Sequence, residues 1–328
     1  PVHEIPDALR HAFPSEPAPQ APPGEDATTE RVLPRLSQTP ELTRMSVMDF
    51  KAYLDSRYLF YVERFLKLES VTDRDRELDP RRFGTLVHDV LESFGRGDLR
   101  NSTDAEAITT ELQGLLNARV HAWFGSAVIP SVHLQIEGVR RRLAWFAEKQ
   151  AARAAEGWRI EHVEWQSEEP VRFGPPGAEV ELIGKIDRID VHPTLGLAVL
   201  DYKTGDKAKS PNADHRKKDE TWTNLQLPLY DLLVRGLAGE RSVQLGYFHI
   251  GKDPDSVGVY LATWDQDDLE SAHDAGRQVV ADIRAGRFAH RAKRRIQDPI
   301  LMALVGDNLV GETSEGEFDG VGVEQEGE

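Results

Sequence analysis

One stretch constrains this chain more than any other: Gly184-Lys-Ile-Asp-Arg-Ile-Asp-Val-His-Pro-Thr-Leu-Gly-Leu-Ala-Val-Leu-Asp-Tyr-Lys-Thr-Gly205. Its centre, His192-Pro-Thr-Leu-Gly196, carries turn chemistry and its flanks carry strand chemistry, so it predicts a β-hairpin. With the turn centred on Thr194, residues whose numbers sum to 388 lie opposite one another, which sets Asp187 against Asp201. Opposed side chains share a face with Cβ atoms about 4.5–5.5 Å apart, and like charges there repel. Two carboxylates on a face otherwise built from Ile183, Ile189, Val191, Leu197 and Val199 ask for a cation. The alternatives are one protonated acid or a slipped register, because a one-residue slip sends the two acids to opposite faces. Lys203, two residues beyond Asp201, returns to the same face. A bound divalent ion would polarise a phosphate and acidify water, while a lysine beside it orients that water or offsets developing charge, so the set suits phosphodiester hydrolysis.

The periodicity around the hairpin changes along the chain. From Glu41 to about Gly157 it is helical, over Ser46–Leu68, Phe83–Phe94, Asp104–Trp123 and Ser131–Glu156. Phe83, Val87, Val90, Leu91 and Phe94 recur at three-and-four spacing. Short β-branched or aromatic runs follow at Trp158–Gln166, Val180–Val191, Leu197–Lys203, Val243–Ile250 and Val257–Trp264, with helical patterns again at Leu225–Leu237 and Asp268–Ala285. The order predicts an α/β fold with a helical N-terminal subdomain at 41–157 and a mixed-sheet core at 158–305. Nine of the 19 prolines fall in the first 40 residues, a composition expected of a disordered linker. The chain begins at Pro1 rather than Met, as expected of a piece of a longer protein or of processing.

The formal net charge of −16 argues superficially against a polyanionic partner. Its distribution matters more. Residues 306–328 hold eight carboxylates and no Lys or Arg, an expected acidic disordered tail, and the first 40 hold six acids against three arginines, which leaves −5 for 41–305. There is no cysteine, which excludes disulfides, thiolate zinc sites and iron–sulfur clusters, so any metal must sit on oxygen and imidazole. No apolar run approaches the ~20 residues that span a bilayer and the first residues lack a signal-peptide pattern, so a cytoplasmic location without membrane partners is expected. No Walker A pattern is present, so no ATP site is expected.

Asp187 with Asp201-Tyr-Lys203 resembles the core motif of the PD-(D/E)XK nucleases, and the flanking residues narrow the resemblance to the RecB/AddB-like branch. That branch has a Gly-x-x-x-His helix before the core, matched by Gly84-Thr-Leu-Val-His88, and a Gln-x-x-x-Tyr helix after it, matched by Gln226-Leu-Pro-Leu-Tyr230. The resemblance covers roughly residues 43–250. It implies a restriction-endonuclease-like core, a mixed central sheet flanked by helices, and Mg²⁺ or Mn²⁺ held by His88, Asp187, Asp201 and the main-chain carbonyl of Tyr202. Lys203 becomes the catalytic lysine. Gln226 and Tyr230, four apart on one helix face, line the site and contact DNA or order that lysine; the bland reading is an ordinary packed helix. Pro228 between them requires the first turn or a kink. Many AddB-like relatives carry four cysteines for an iron–sulfur cluster. Here Ser56-Arg57-Tyr58 stands where Cys-Pro-Tyr is often found, and packing around Phe60, Phe65 and Leu66 must take the cluster's place.

The resemblance further implies DNA, single-stranded or at duplex ends, as the partner, double-strand-break processing and recombination repair as the setting, and a helicase subunit or upstream helicase-like domain as a companion. The rival readings are a catalytically inactive DNA-binding or scaffold domain and an RNA-directed nuclease. Candidate backbone-tracking residues are Lys207, Lys209, Arg216, Lys217 and Lys218, Arg140–Arg142, and Arg291 with Lys293–Arg295. Trp222 either stacks on a base or anchors the core. Glu164 is an additional acid near the metal or, as the preferred reading, a solvent-facing strand residue.

Overall fold

The computed structural model describes residues 41–67, 78–125 and 128–288. The Pro-rich segment, the acidic tail and the cluster Arg291 with Lys293–Arg295 lie outside them. The described chain runs β1 (Arg44–Ser46), α1 (Val47–Asp55), α2 (Arg57–Arg64), α3 (Pro80–Arg96), α4 (Ala105–Phe124) and α5 (Pro130–Ala155). Then come β2 (Arg159–Trp165), β3 (Val171–Phe173), β4 (Val180–Ile183), β5 (Ile186–His192), β6 (Gly196–Lys203), α6 (Pro211–His215), α7 (Gln226–Ala238), β7 (Val243–Ile250), β8 (Val257–Leu261) and α8 (Gln266–Arg284).

The hairpin forms in the expected register. Arg188 pairs with Leu200, Ile189 with Val199, Asp190 with Ala198, Val191 with Leu197 and His192 with Gly196. Two local features fix the turn. The His192 ring nitrogen accepts the Thr194 and Leu195 N–H groups at 3.2 and 3.1 Å. Gly196 has φ +85, and a Cβ there would lie 2.2 Å from the Ser242 carbonyl oxygen. β2 joins the outer edge of β5 and β7 runs parallel to β6, giving a five-stranded mixed sheet in the order β2-β5-β6-β7-β8.

Strands inside such a sheet are covered on both faces, which is why Gly196 to Tyr202 is buried throughout. Leu197 and Val199 face a core shared with Met45, Phe50, Tyr53, Tyr61, Leu229, Leu233, Val280 and Phe288. Ala198, Leu200 and Tyr202 face a second core shared with Leu86, Leu91, Leu112, Val139, Phe146 and Phe248. Segment 41–157 therefore divides between the faces: β1, α1 and α2 serve the first core, and α3, α4 and α5 cover the second.

Two sequence expectations change. The helix expected over Ser46–Leu68 is broken at Ser56, whose backbone is extended at φ −157 and whose hydroxyl accepts the Leu59 N–H to start α2. The single strand expected over Val180–Val191 splits at Gly184-Lys185. A Cβ on Gly184 would meet Leu233 Cδ1 at 2.6 Å and Tyr230 Cε1 at 3.3 Å, so α7 presses against the backbone where the chain changes sheet. β4 then belongs to a separate sheet, parallel to β1 and antiparallel to β3. Pro228 occupies the first turn of α7, where its missing N–H costs nothing. No helix among the described residues is long and apolar enough to cross a membrane.

Candidate active site

Beyond the last hairpin pair, Arg188 with Leu200, the same register carries Asp187 beside Asp201. There the Asp187 side chain takes over the ladder: its Oδ2 accepts the Tyr202 N–H at 2.8 Å. Asp201 is 4% exposed. Its Oδ1 accepts from Gln226 Nε2 at 2.6 Å, and its Oδ2 lies 2.7 Å from Lys203 Nζ as an ion pair outside hydrogen-bond geometry. Lys203 Nζ also donates to Gln226 Oε1 at 3.3 Å and sits 4.8 Å above the Tyr247 ring. Gln226 thus bridges the acid and the lysine. Tyr230, one turn further along α7, lies 3.1 Å from Gln226 Nε2 through its hydroxyl, which donates to the Lys185 carbonyl at 2.9 Å. It buttresses Gln226 rather than touching Asp201 or Lys203.

His88 enters from α3, on the opposite face of the sheet. Val87, Val90, Leu91 and Phe94 bury that helix in the second core, which leaves His88 half-buried at the rim with Nδ1 3.6 Å from Asp187 Oδ2. Its ring stands edge-on to Tyr202, with centroids 5.8 Å apart. The sequence-predicted residues His88, Asp187, Asp201, Lys203, Gln226 and Tyr230 therefore gather at one end of β5 and β6, around Tyr202.

Glu164 corrects the solvent-facing reading. Its side chain is only 10% exposed and, with His88 and Asp187, it offers ligand atoms that all lie within 4.8 Å of one another. A β-bulge places it there. Arg159 and Ile160 pair with Val191 and Asp190, but beyond the extra residue Glu161 the pairs become His162 with Ile189, Val163 with Arg188 and Trp165 with Ile186. Glu164 then falls opposite Asp187; without the bulge Val163 would stand there. Three acids, Glu164, Asp187 and Asp201, consequently form a row across β2, β5 and β6.

The electrostatics follow from burial and this row. Burial is the largest influence on Asp201 and, with Asp187 beside it, raises the carboxyl above its usual range despite Lys203. Burial would lower both His88 and Lys203, yet the hydrogen bond and charge of Asp187, with Asp201 and Glu164, hold the His88 imidazole above its ordinary value. Asp201 likewise raises Lys203, which is a firmly held ammonium. The buried Asp201 Oδ2 and Glu164 Oε2 are met only by the lysine ammoniums of Lys203 and Lys185, and the donor set of carboxylates with one imidazole fits a hard divalent cation.

Four of the eight described residues in the basic runs, Arg140, Arg142, Lys209 and Arg216, have hydrogen-bond partners within the fold. Arg142 donates to the Thr204 and Ile250 carbonyls at 2.8 and 3.2 Å and to Asp206 at 2.9 Å, so it pins the loop that leaves Lys203. Arg140 is paired with Glu137 and Asn117, Lys209 with Asp214, and Arg216 with Asp268. Lys207, Lys217 and Lys218 remain exposed. Trp222 is a core anchor, 6% exposed, donating to Ser271 Oγ at 3.2 Å and set edge-on to Trp264.

Residues 44–295 match the family model of the PD-(D/E)XK nuclease superfamily. An uncharacterized protein of Rickettsia conorii is 22% identical over 185 residues, covering 53% of this chain and 21% of that protein. A Clostridium acetobutylicum protein, one subunit of an ATP-dependent helicase/deoxyribonuclease, is 23% identical over 184 residues, covering 50% of this chain and 16% of its own length. The chain thus spans about a fifth to a quarter of the length of the curated relatives it matches. A solved structure named as a candidate exonuclease, from Eubacterium rectale, aligns over 84% of this chain and 96% of that one at 13% identity and a TM-score of 0.42. The family match spans both cores and every strand of the site, and the chain belongs to the PD-(D/E)XK nuclease superfamily.

Proposed function

We propose that this chain is a metal-dependent deoxyribonuclease of the RecB/AddB type, with Mg²⁺ or Mn²⁺ held by His88, Asp187, Asp201 and the Tyr202 carbonyl. The observation that carries it is the meeting of Asp187, Asp201, Lys203 and His88 at one end of β5 and β6, with Gln226 joining Asp201 to Lys203. When bound, the cation supplies Lewis acidity at a phosphodiester and lowers the pKa of water. Lys203, kept charged by Asp201, holds a positive charge where phosphorane charge develops. Gln226 fixes the lysine's direction from a helix whose start is tied to Tyr230 and Lys185. The Asp187 bond to the Tyr202 N–H holds the splayed strand end in one geometry.

DNA as substrate, repair as setting and a helicase companion are supported by the name of the Clostridium acetobutylicum relative, of which this chain matches a small part. The test is digestion of matched, labelled DNA and RNA strands with Mg²⁺, with Mn²⁺ and with chelator. Asp201→Asn and Lys203→Ala should each lower DNA cleavage at least about a hundredfold, the scale of one removed charge-stabilising group, with unchanged circular dichroism. Wild-type turnover in either folded variant rejects the assignment, and preferential RNA cleavage replaces DNA with RNA as the substrate.

A further inference from the structure

Glu164 has three properties that an ordinary strand residue lacks. Its backbone lies in the left-handed region at φ 52, a conformation that L residues other than Gly, Asn and Asp rarely hold without a reason. Its carboxylate is nine-tenths buried and offers an oxygen within 4.8 Å of candidate ligand atoms on His88 and Asp187. Its Oε2 is in direct contact with the Lys185 ammonium, the one Lys or Arg side chain paired with it among the described residues. Lys185 itself is 55% exposed, and its main chain is fixed by the Tyr230 hydroxyl, so its side chain can swing while its base stays put.

Resting on the metal-centre reading above, we propose that Glu164 is a fourth side-chain ligand of the divalent ion, beside His88, Asp187 and Asp201, and that Lys185 is its built-in counter-cation. The ammonium neutralises Glu164 until the ion arrives. The ion then takes the Glu164 oxygen, and the released ammonium, already half in solvent beside the centre, takes a phosphate of the substrate strand. A divalent ion on the Glu164 carboxylate repels the ammonium in contact with it, and the half-exposed Lys185 side chain has solvent to move into, so binding of the ion and release of Lys185 are coupled. No bond is made or broken other than coordination and ion pairing.

Mn²⁺ binding to the full chain, measured by calorimetry and by the loss of the free-ion electron paramagnetic resonance signal, tests this without any cleavage. Glu164→Gln should weaken Mn²⁺ binding about tenfold, the scale of removing one group that supports a metal site. Lys185→Met should tighten it several-fold in the wild-type background and leave it unchanged in the Glu164→Gln background. In a Lys203→Ala background, Lys185→Met should weaken binding of a single-stranded oligonucleotide with Mn²⁺ present but not with chelator. Equal Mn²⁺ affinity of wild type and Glu164→Gln, each confirmed folded by its melting curve in chelator, overturns the ligand assignment. Equal effects of Lys185→Met in the two Glu164 backgrounds overturn the exchange, because the lysine then acts only through its general field. Loss of oligonucleotide affinity that ignores metal overturns the release step. If wild type and His88→Ala alike fail to bind Mn²⁺, the metal centre itself is rejected, an outcome distinct from all three.

Discussion

His215 should make this protein sensitive to acid by a calculable amount. It is wholly buried on α6, and both ring nitrogens are committed. Nε2 accepts the Leu227 N–H at 3.3 Å, so Nδ1 carries the proton and donates to the Pro211 carbonyl at 3.0 Å. Burial is the dominant influence and takes the imidazole down from 6.5 to about 3, against the opposing pull of Asp214 and the Pro211 carbonyl. For a base whose folded value is depressed, the unfolded chain binds the extra proton between the two values, so stability falls as pH drops through that window. At about 1.36 kcal/mol per pH unit the loss is roughly 2 kcal/mol at pH 5 and about 4–5 kcal/mol near pH 3. Urea denaturation at half-unit steps from pH 7.5 to 5 measures it, with His215→Gln as the comparison because its amide oxygen can still accept the Leu227 N–H. The variant is expected to be less stable at neutral pH, with a pH slope shallower than wild type by up to one proton. Parallel slopes refute the reasoning, since they show that His215 is protonated as freely in the folded chain as in the unfolded one.

Three other outcomes follow from packing and charge. Phe288 is 2% exposed and lies within 4.8–6.3 Å of the Tyr53, Tyr61 and Phe65 rings, so Phe288→Ala should cost about 3–5 kcal/mol in chemical denaturation. A cost under about 1 kcal/mol would show that this aromatic cluster does not hold α1 and α2 to the end of α8. Gly184→Ala should cost about 1–3 kcal/mol through its contacts with Leu233 and Tyr230, and should also slow cleavage, because α7 carries Gln226. Saturating Mg²⁺ or Mn²⁺ should stabilise the chain by about 2.7 kcal/mol at a hundredfold excess over Kd, and Asp187→Asn should blunt the rise in Tm.

The hairpin, its register and the gathering of His88, Asp187, Asp201, Lys203, Gln226 and Tyr230 were legible because each depends on local rules. A turn at Thr194 fixes which residues oppose, strand alternation brings Lys203 to the face of Asp201, and helix spacing stacks Gln226 on Tyr230. What escaped depends on contacts between distant segments. Ser56 breaks the first helix although the apolar pattern runs through it, and Gly184 breaks a strand because Leu233, 49 positions later, presses on its backbone. Arg142 and Trp222 are ordinary surface or stacking candidates as letters. Only the folded chain supplies the Thr204 and Ile250 carbonyls that engage the first and the Trp264 ring that covers the second.

Glu164 is the most consequential of these, and its concealment has a definite cause. Alternation along Arg159–Trp165, taken without a bulge, puts Val163 opposite Asp187 and sends Glu164 to its neighbour's place. The extra residue Glu161 reverses that parity, and nothing in Ile160-Glu-His162 marks it. Once the parity is corrected, the strand end reads as an ordered line of charge: Lys185 on Glu164, then Asp187 with His88, then Asp201 on Lys203. Each outer acid already has an ammonium, while the middle one has a main-chain N–H and an imidazole raised by the acids around it. The least neutralised position in the line is therefore its centre, between His88, Glu164 and Asp187, and that is where a divalent cation gains most from the field the fold has assembled.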